Sequence, residues 1–213
     1  MKTDTTRNTI LTAAKQLFVQ YGYEKTSMND IAKAAHKAKG SIYYNFKSKL
    51  DIFNDLLEME VDSIIKELAD KRIYASTSAY TLSERMKHYL SYRMEVLYNS
   101  PLCRQAMVEL SLNKDNDLCS KINGIRMYID HKERNFFSEV CRRGRKINIM
   151  PRQVTPESFA DMMIMVLKSL EYQFFVQDRY IELKKTYDYT LEVLVGNTLN
   201  SRHASSTSPY NIK

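Results

Sequence analysis

The sequence has no tryptophan, five glycines, four prolines and three cysteines among its 213 residues. Because glycine and proline mark turns and break helices, their scarcity argues against a β-rich chain and favours an all-α fold. The cysteines, Cys103, Cys119 and Cys141, are odd in number and widely spaced, without a C-x-x-C pair. This pattern indicates neither a disulfide framework nor a zinc site.

Long uncharged apolar runs are also missing. No stretch of about 18 such residues occurs, as a membrane-spanning helix would require, and the N-terminus leads into a polar segment unlike a signal peptide. We therefore expect no membrane segment and a cytoplasmic, nucleoid-associated location.

Catalytic patterns are missing too. No nucleophile stands beside a base, no glycine-rich phosphate loop is present and no carboxylate constellation stands out. His88 and His131 lack a ligand-type residue three or four positions later in the chain that would complete a metal site. We expect no enzymatic activity, no metal and no cofactor.

Positive charge is concentrated at the start of the chain. Residues 1–50 hold nine lysines and arginines against three acidic residues, which accounts for +6 of the total net charge of +7. A basic first quarter is expected if this part of the chain meets a polyanion.

Residues 27–46 contain two short helical patterns that meet at a basic turn. Ser27 can cap the first helix, which has a single apolar face. In the second, Ile42 and Phe46 fall on one side and polar or amphipathic residues on the other. This is the pattern of a helix-turn-helix, whose second helix enters the major groove of DNA. The outward residues are Lys39, Ser41, Tyr43, Tyr44 and Asn45.

A helix before this motif and a long helix after it complete the N-terminal unit. The first carries one apolar stripe and ends at Gly22, and Ser48 can cap the second, which runs to about Lys71. The stripe consists of Ile10, Ala13, Ala14, Leu17, Phe18 and Tyr21. The core shared by these helices is expected to contain Leu17, Phe18, Ile31, Ile42, Phe46 and Phe53.

The predicted organisation is an N-terminal three-helix helix-turn-helix domain at 1–50, joined by the long helix to a C-terminal helical domain at 72–199. A flexible, serine-rich tail follows at 200–213. Further helices are expected near 82–99, 101–112, 117–143, 156–177 and 179–199.

Residues 5–55 resemble the DNA-binding domain of the TetR family of transcriptional regulators. The resemblance rests on Ile10–Leu11, Gly22–Tyr23, Thr26–Ser27, Ile31–Ala32 and the run KGSIYYNFKSK at 39–49. It implies a homodimer that binds a palindromic operator in double-stranded DNA, usually represses transcription, and releases DNA when a small molecule enters the C-terminal domain.

The resemblance also implies which residues meet DNA. Base-edge contacts are expected from Lys39, Gly40 and Tyr43, because a glycine permits close backbone approach to the groove. Phosphate contacts are expected from Ser27, Tyr44, Asn45 and Lys49. The turn departs from the family's usual Gly-Val-Ser and contains His36, Lys37 and Ala38, of which Ala38 cannot cap the second helix.

The segment 156–177 is apolar on nearly every side, so a monomer cannot bury all of it. Together with the last helix it predicts a homodimer in which four helices pack across a two-fold axis. The expected interface residues are Phe159, Met163, Val166, Leu170, Phe174, Tyr187, Leu191 and Leu194.

A small apolar or amphipathic effector would need a cavity in the C-terminal domain. The candidate lining residues are His88, Tyr92, Met107, Tyr128, His131 and Phe137, although each alone is more often a core or surface residue. The alternative is a DNA-binding protein that has no inducer and acts through protein contacts. A closed core without a cavity would favour that alternative.

Overall fold

The structure is a computed structural model that describes residues 2–74, 81–112, 116–148 and 150–200, without the side chains of 2–4, 71–74 and 194–200. Within these ranges every regular element is a helix, which confirms the all-α prediction. The predicted tail lies outside the described residues from 201 onward. The helices are α1 (Lys2–Tyr21), α2 (Met28–Ala34), α3 (Lys39–Asn45), α4 (Lys49–Tyr74), α5 (Leu82–Tyr98), α6 (Pro101–Ser111), α7 (Asp117–Lys146), α8 (Pro156–Glu171) and α9 (Tyr180–Asn200).

Helix α1 ends where the sequence indicated. Gly22 has a φ of 87°, the left-handed conformation that glycine adopts without strain, and its N–H donates to the carbonyl of Phe18 at 2.9 Å. Most of the predicted stripe faces the core, but Tyr21 at its end is 52% exposed.

A cluster of three aromatic rings joins α1, the α1–α2 loop and α4. The Phe53 ring lies edge-on to Phe18, with centroids 5.4 Å apart, and to Tyr23, with centroids 5.1 Å apart. Phe18 and Phe53 are almost completely buried. This cluster holds the first three helices against the long helix α4.

Local capping signals set the starts of the later helices. The side chains of Thr81, Ser100, Asn116 and Thr155 each accept an N–H from the first turn of the helix that follows. Pro101 and Pro156 occupy first-turn positions, as predicted. Helix α7 packs mainly against α8, and α5 against α9.

The predicted helix over 156–177 is present, but its last turn is not α-helical. Helix α8 ends at Glu171 and is followed by a π-helical turn, Tyr172–Val176, after which Asp178 takes a positive φ of 52°. The wider turn coincides with the burial of both Phe174 and Phe175, two consecutive rings that an α-helix would separate by about 100°.

In the part of the chain that the structure describes, no helix is both long enough and apolar enough to cross a membrane.

Replacing Phe53 with alanine should lower the free energy of unfolding by about 3 to 5 kcal/mol, because it removes a buried ring and leaves a cavity among aromatic neighbours. Urea denaturation followed by circular dichroism measures this. Val19→Ala, at a position 47% exposed on α1, is the control and should change stability by less than about 0.5 kcal/mol. Equal effects for the two variants would contradict the central role of the ring cluster.

Candidate DNA-binding surface and effector cavity

Helix α2 begins at a reciprocal cap. The Asp30 backbone N–H donates to Ser27 Oγ at 3.2 Å, while Asp30 Oδ2 accepts from the Ser27 N–H at 3.1 Å and from its hydroxyl at 2.6 Å. The hydroxyl and N–H of Ser27 lower the pKa of Asp30. The phosphate contact expected of Ser27 stays a prediction, and it would draw the Ser27 hydroxyl away from Asp30.

The turn between α2 and α3 follows a standard helix-terminating pattern with histidine where glycine is usual. His36 has a φ of 51°, its N–H donates to Lys33 O at 3.1 Å, and the Lys37 N–H donates to Ala32 O at 3.0 Å. These two bonds define a Schellman motif. The left-handed conformation costs a non-glycine residue about 1 to 2 kcal/mol, and the two hydrogen bonds offset this cost.

Helix α3 presents the predicted face to solvent. Ile42 and Phe46 are buried, whereas Tyr44 is 82% exposed and Tyr43 is 46% exposed. Ala38 provides no side-chain cap, as its methyl group requires. Helix α3 is therefore anchored by its two apolar residues.

The remaining α3 residues differ in the contacts that they make within the protein. The Lys39 ammonium lies 5.8 Å from the Tyr43 ring centroid, one turn along the exposed face. Asn45 Nδ2 donates to Ser41 O at 2.8 Å, and both residues are half-buried. A Cβ atom added at Gly40 would meet no atom within 4 Å. Packing inside the subunit therefore does not require glycine at position 40.

Lys49 is held inside the N-terminal unit. Its ammonium donates to Tyr23 O at 2.7 Å and Glu24 O at 3.4 Å, and it lies 4.1 Å from the Tyr23 ring centroid. Burial lowers the pKa of Lys49, although the carboxylates of Glu24 and Glu109 oppose this. An ammonium has three N–H donors, so one remains for the predicted phosphate contact.

A small cavity lies among α4, α5, α6, α7 and the end of α8. Its volume is about 30 Å³, room for about two water molecules. The apolar part of its wall consists of Val61, Ile64, Ile65, Leu68, Leu97, Met107 and Ile129. The charged part consists of Arg93, Arg126, Lys132, Glu133 and Glu171.

Only Met107 among the six predicted pocket residues lines this cavity. His88 and His131 are exposed. Tyr128 is 44% exposed and lines an open groove between α4 and α7. None of these three residues lines this cavity, and their contact with an effector stays a prediction.

Tyr92 and Phe137 also lie elsewhere. The Tyr92 hydroxyl donates to Glu67, near the surface. Phe137 is fully buried in a ring cluster with Phe136 and Tyr89, at centroid distances of 5.2 Å and 5.9 Å. Their residue types fit a pocket, but the rotation of α5 and α7 about their axes places them outside it.

A buried ion-pair network forms the charged wall. Arg93 Nη2 lies 2.6 Å from Glu171 Oε1 and donates to Glu133 Oε2 at 3.0 Å, while Arg93 Nε donates to Glu133 Oε1. The Tyr89 hydroxyl donates to Glu133 Oε1 at 2.9 Å, and Arg126 pairs with Glu171 Oε2. Arg93, Glu133 and Glu171 are each 3% exposed. The network ties α5, α7 and α8 together.

The network shifts the pKa values of Glu171 and Arg93. Burial alone would raise the pKa of Glu171, but the adjacent charges of Arg93 and Arg126 outweigh burial and lower it. For Arg93, burial is opposed by Glu133 and Glu171, which raise its pKa well above the usual value. Glu171 and Arg93 therefore both stay charged at neutral pH.

Sequence reasoning missed these charged residues, although a signal was present. Arg93 interrupts the apolar stripe of α5 between Leu90 and Leu97, and Glu171 continues the stripe of α8 after Leu167. A charge at a core position needs a partner, so a search for such interruptions would have selected both.

Three of the predicted interface residues belong to the subunit's own core. Phe174, Tyr187 and Leu191 are no more than 8% exposed. The Phe174 ring lies edge-on to Tyr187 with centroids 5.3 Å apart, and the Tyr187 hydroxyl donates to Leu90 O at 3.1 Å. Their assignment to a dimer interface is corrected, because these side chains pack between the end of α8, α9 and α5. The Leu194 side chain lies outside the described residues.

Other apolar side chains on the last two helices are exposed. Val166 is 42% exposed, and Phe159, Met163 and Leu170 are half-buried. Helical spacing places the exposed apolar residues of α8 and the π-turn on one face and those of α9 on another single face. They are Met162, Met165, Val166 and Tyr172 in the first set, and Ile181, Tyr189 and Val193 in the second.

Among the described residues, no group of three or more histidine, cysteine, aspartate or glutamate side chains is arranged to hold a metal ion.

The family model for bacterial regulatory proteins of the tetR family matches residues 10–56. The chain is 30% identical over 145 residues to the HTH-type transcriptional regulator QacR of Staphylococcus aureus. The matched region covers 63% of this chain and 73% of QacR. It is 44% identical over 59 residues to the HTH-type transcriptional regulator AcrR of Shigella flexneri, covering 28% and 27% of the two chains.

The fold extends over the whole described chain. The transcriptional regulator FadR from Bacillus subtilis, solved in complex with stearoyl-CoA, matches with a TM-score of 0.65 at 19% identity, covering 92% of this chain and 98% of that one. The helix-turn-helix surface, the all-α fold and the relationship to QacR agree, and the chain belongs to the TetR family of DNA-binding transcriptional regulators.

Proposed function

We propose that this protein is a homodimeric repressor that binds a palindromic operator through two copies of α3 and leaves it when a small molecule enters the cavity. The observation that carries the proposal is the division of α3 into two faces. Ile42 and Phe46 are buried, while Lys39, Gly40 and Tyr43 stand open to solvent. Such a helix can enter a major groove without disturbing its own packing.

Base edges would be read by Lys39, Gly40 and Tyr43, whose positions share the exposed side of α3. Ser27, Ser41, Tyr44, Asn45 and Lys49 would contact the flanking phosphates and set the register. The exposed Tyr44 hydroxyl is free to reach a phosphate without rearrangement, whereas Ser27, Asn45 and Lys49 would exchange or extend existing hydrogen bonds.

Dimerisation would use the exposed apolar faces of α8 and α9. A pair of protomers would bury Met165 and Val166 against their symmetry mates in a four-helix arrangement. Dimerisation would place two α3 helices so that they can reach successive major grooves, about 34 Å apart.

Effector binding would reach α3 through α6. Met107 on α6 lines the cavity, and Gln105 Nε2 on the same helix donates to Phe18 O in α1 at 3.3 Å. Lys15 of α1 pairs with Glu60 of α4 at 2.6 Å, and Glu60 also accepts the hydroxyl of Ser100, the cap of α6. A ligand that displaces α6 would therefore shift α1 and the spacing of the two α3 helices.

The inducer-independent alternative is not favoured. The cavity is bordered by five charged groups, which could bind the polar part of a ligand. FadR of B. subtilis, which shares the fold, was solved with stearoyl-CoA bound, and NalD of Pseudomonas aeruginosa, another structural neighbour, is a repressor of a multidrug efflux pump. A regulator of this kind acts at the chromosome, so we place the protein in the cytoplasm with the nucleoid.

The direct test is selection of binding sites from random double-stranded DNA by the purified full-length protein. The expected result is an enriched inverted repeat, bound more tightly than scrambled DNA and with an affinity that falls steeply as salt rises. Failure to enrich any sequence would overturn the proposal.

Gly40→Ala should weaken binding to the selected operator about 10- to 100-fold, because a methyl group would keep the α3 backbone from the base edges. Gel-shift titration measures this. Gly124→Ala is the matched control, since Gly124 is also helical and an added Cβ there meets no atom within 4 Å. Both variants should unfold with an unchanged free energy or one raised by up to about 1 kcal/mol. If both variants bound the operator like the parent, α3 would not approach DNA at position 40.

Met165→Glu should convert the dimer to a monomer, because it places a charge within the proposed apolar interface. Sedimentation velocity distinguishes the two states. Met127→Glu makes the same change on α7, where Met127 is 72% exposed, and should leave the dimer intact. A dimeric Met165→Glu variant would show that subunits associate through another surface.

A further inference from the structure

The acidic groups of the cavity wall are already paired with arginines. Both oxygens of Glu171 face a guanidinium, that of Arg93 at 2.6 Å and that of Arg126. Both oxygens of Glu133 accept from Arg93, and one of them also accepts the Tyr89 hydroxyl at 2.9 Å. No carboxylate in the wall is left for a cationic ligand unless an arginine is displaced, and displacement would strand a buried charge.

The basic groups are not fully engaged. Arg126 uses Nη2 for Glu171, and its Nε is 3.6 Å from Asp130 Oδ1. Its Nη1 has no acceptor among the described residues, although a guanidinium carries five N–H donors. Lys132 lies 5.3 Å from the Tyr128 ring centroid and has no carboxylate partner in the described ranges. The wall therefore has positive charge and N–H donors without a counter-charge, and a negatively charged acceptor would suit them.

The opposite wall is apolar and adaptable. Residues of α4 and α6, including Ile64, Leu68 and Met107, face the charged groups across the cavity. Ligand pockets usually measure about 300 to 1,000 Å³, so the present 30 Å³ must widen to admit a ligand. Met107 is suited to this, because its unbranched side chain changes rotamer readily.

We infer that the effector is an amphipathic anion: an apolar chain or ring with one negatively charged group, bound by Arg126 and Lys132. This inference rests on the proposed effector cavity and adds the chemical class of its ligand. The anionic group would complete the hydrogen bonding of Arg126, and the apolar part would push between α4 and α6. The same contact would explain why a charge network borders an otherwise apolar cavity.

A series of ten-carbon probes tests the inference with the full-length protein. Isothermal titration would compare decanoate, decyl phosphate, decan-1-ol and decyltrimethylammonium, all below their micellar concentrations. At least one of the two anions should bind about ten-fold or more tightly than the alcohol and the cation, because charge-assisted hydrogen bonds are stronger than neutral ones. The relative affinity of decanoate and decyl phosphate would distinguish a carboxylate ligand from a phosphate ligand.

Three variants locate the contact. Arg126→Gln should weaken anion binding about ten-fold or more while leaving decan-1-ol unchanged. Arg134→Gln is the control, because Arg134 lies on the same helix, pairs with Asp161 at the surface and does not line the cavity. Should Arg126→Gln fail to fold by circular dichroism, the exposed Lys132 permits Lys132→Gln, which should weaken the anions several-fold.

Preference for the cation, equal affinity for all four probes, absence of binding by all four, or anion affinity unaffected by Arg126→Gln and Lys132→Gln would each overturn the inference. These outcomes are separable from failure of the proposed function. Operator selection tests DNA binding without any ligand. If the anions bind no more tightly than decan-1-ol, loss of decan-1-ol binding in Met107→Trp would show that the cavity still takes a ligand, but one of another class.

Discussion

The carboxylate of Glu171 lies between two guanidinium groups, and much of the C-terminal half depends on that arrangement. Arg93 comes from α5, Arg126 from α7, and Glu171 ends α8. Three helices are thus joined at one buried point where each charge has a partner. The π-turn begins at the next residue and brings Phe174 and Phe175 into the core. The same charges form one wall of the cavity, so the side chains that hold the helices together also border it.

Helix α6 contacts both halves of the chain. It contributes to the cavity, touches the end of α1 and begins at a cap that is bonded to α4. Gly22 sits at this contact, and an added Cβ would come within 3.3 Å of Gln105 Nε2. Because protein interiors are close-packed, the proposed movement of α6 would disturb this contact with α1.

Local signals made the helices and the DNA-facing surface predictable from sequence. Thr155 before Pro156 and the apolar pair Ile42 and Phe46 act within one or two turns, and the structure agrees with both. The position of His36 was also recognised as unusual and proved to have a positive φ. Each of these features depends only on residues that are close together in the sequence.

The cavity and the interface were less predictable, because they depend on how each helix is rotated against distant partners. An all-apolar helix does not reveal which side faces its own subunit, so Phe174 was assigned outward although it is buried, while Met165 is exposed. Likewise, His88 and Tyr128 had suitable chemistry but do not line this cavity. The hydrogen bond of Lys49 could not be predicted for the same reason, because its acceptor, the Tyr23 carbonyl, lies 26 positions earlier in the chain.

The mutual saturation of Arg93, Glu133 and Glu171 also limits how this protein can evolve. Loss of any one of them would leave a partner charged and buried, a change that typically destabilises by about 3 to 5 kcal/mol. Natural variants would therefore retain all three or replace them together. If the proposed effector exists, divergence in effector preference among descendants of this chain would instead accumulate at the apolar positions of α4 and α6 and at the exposed Lys132, where single substitutions leave every charge of the network paired.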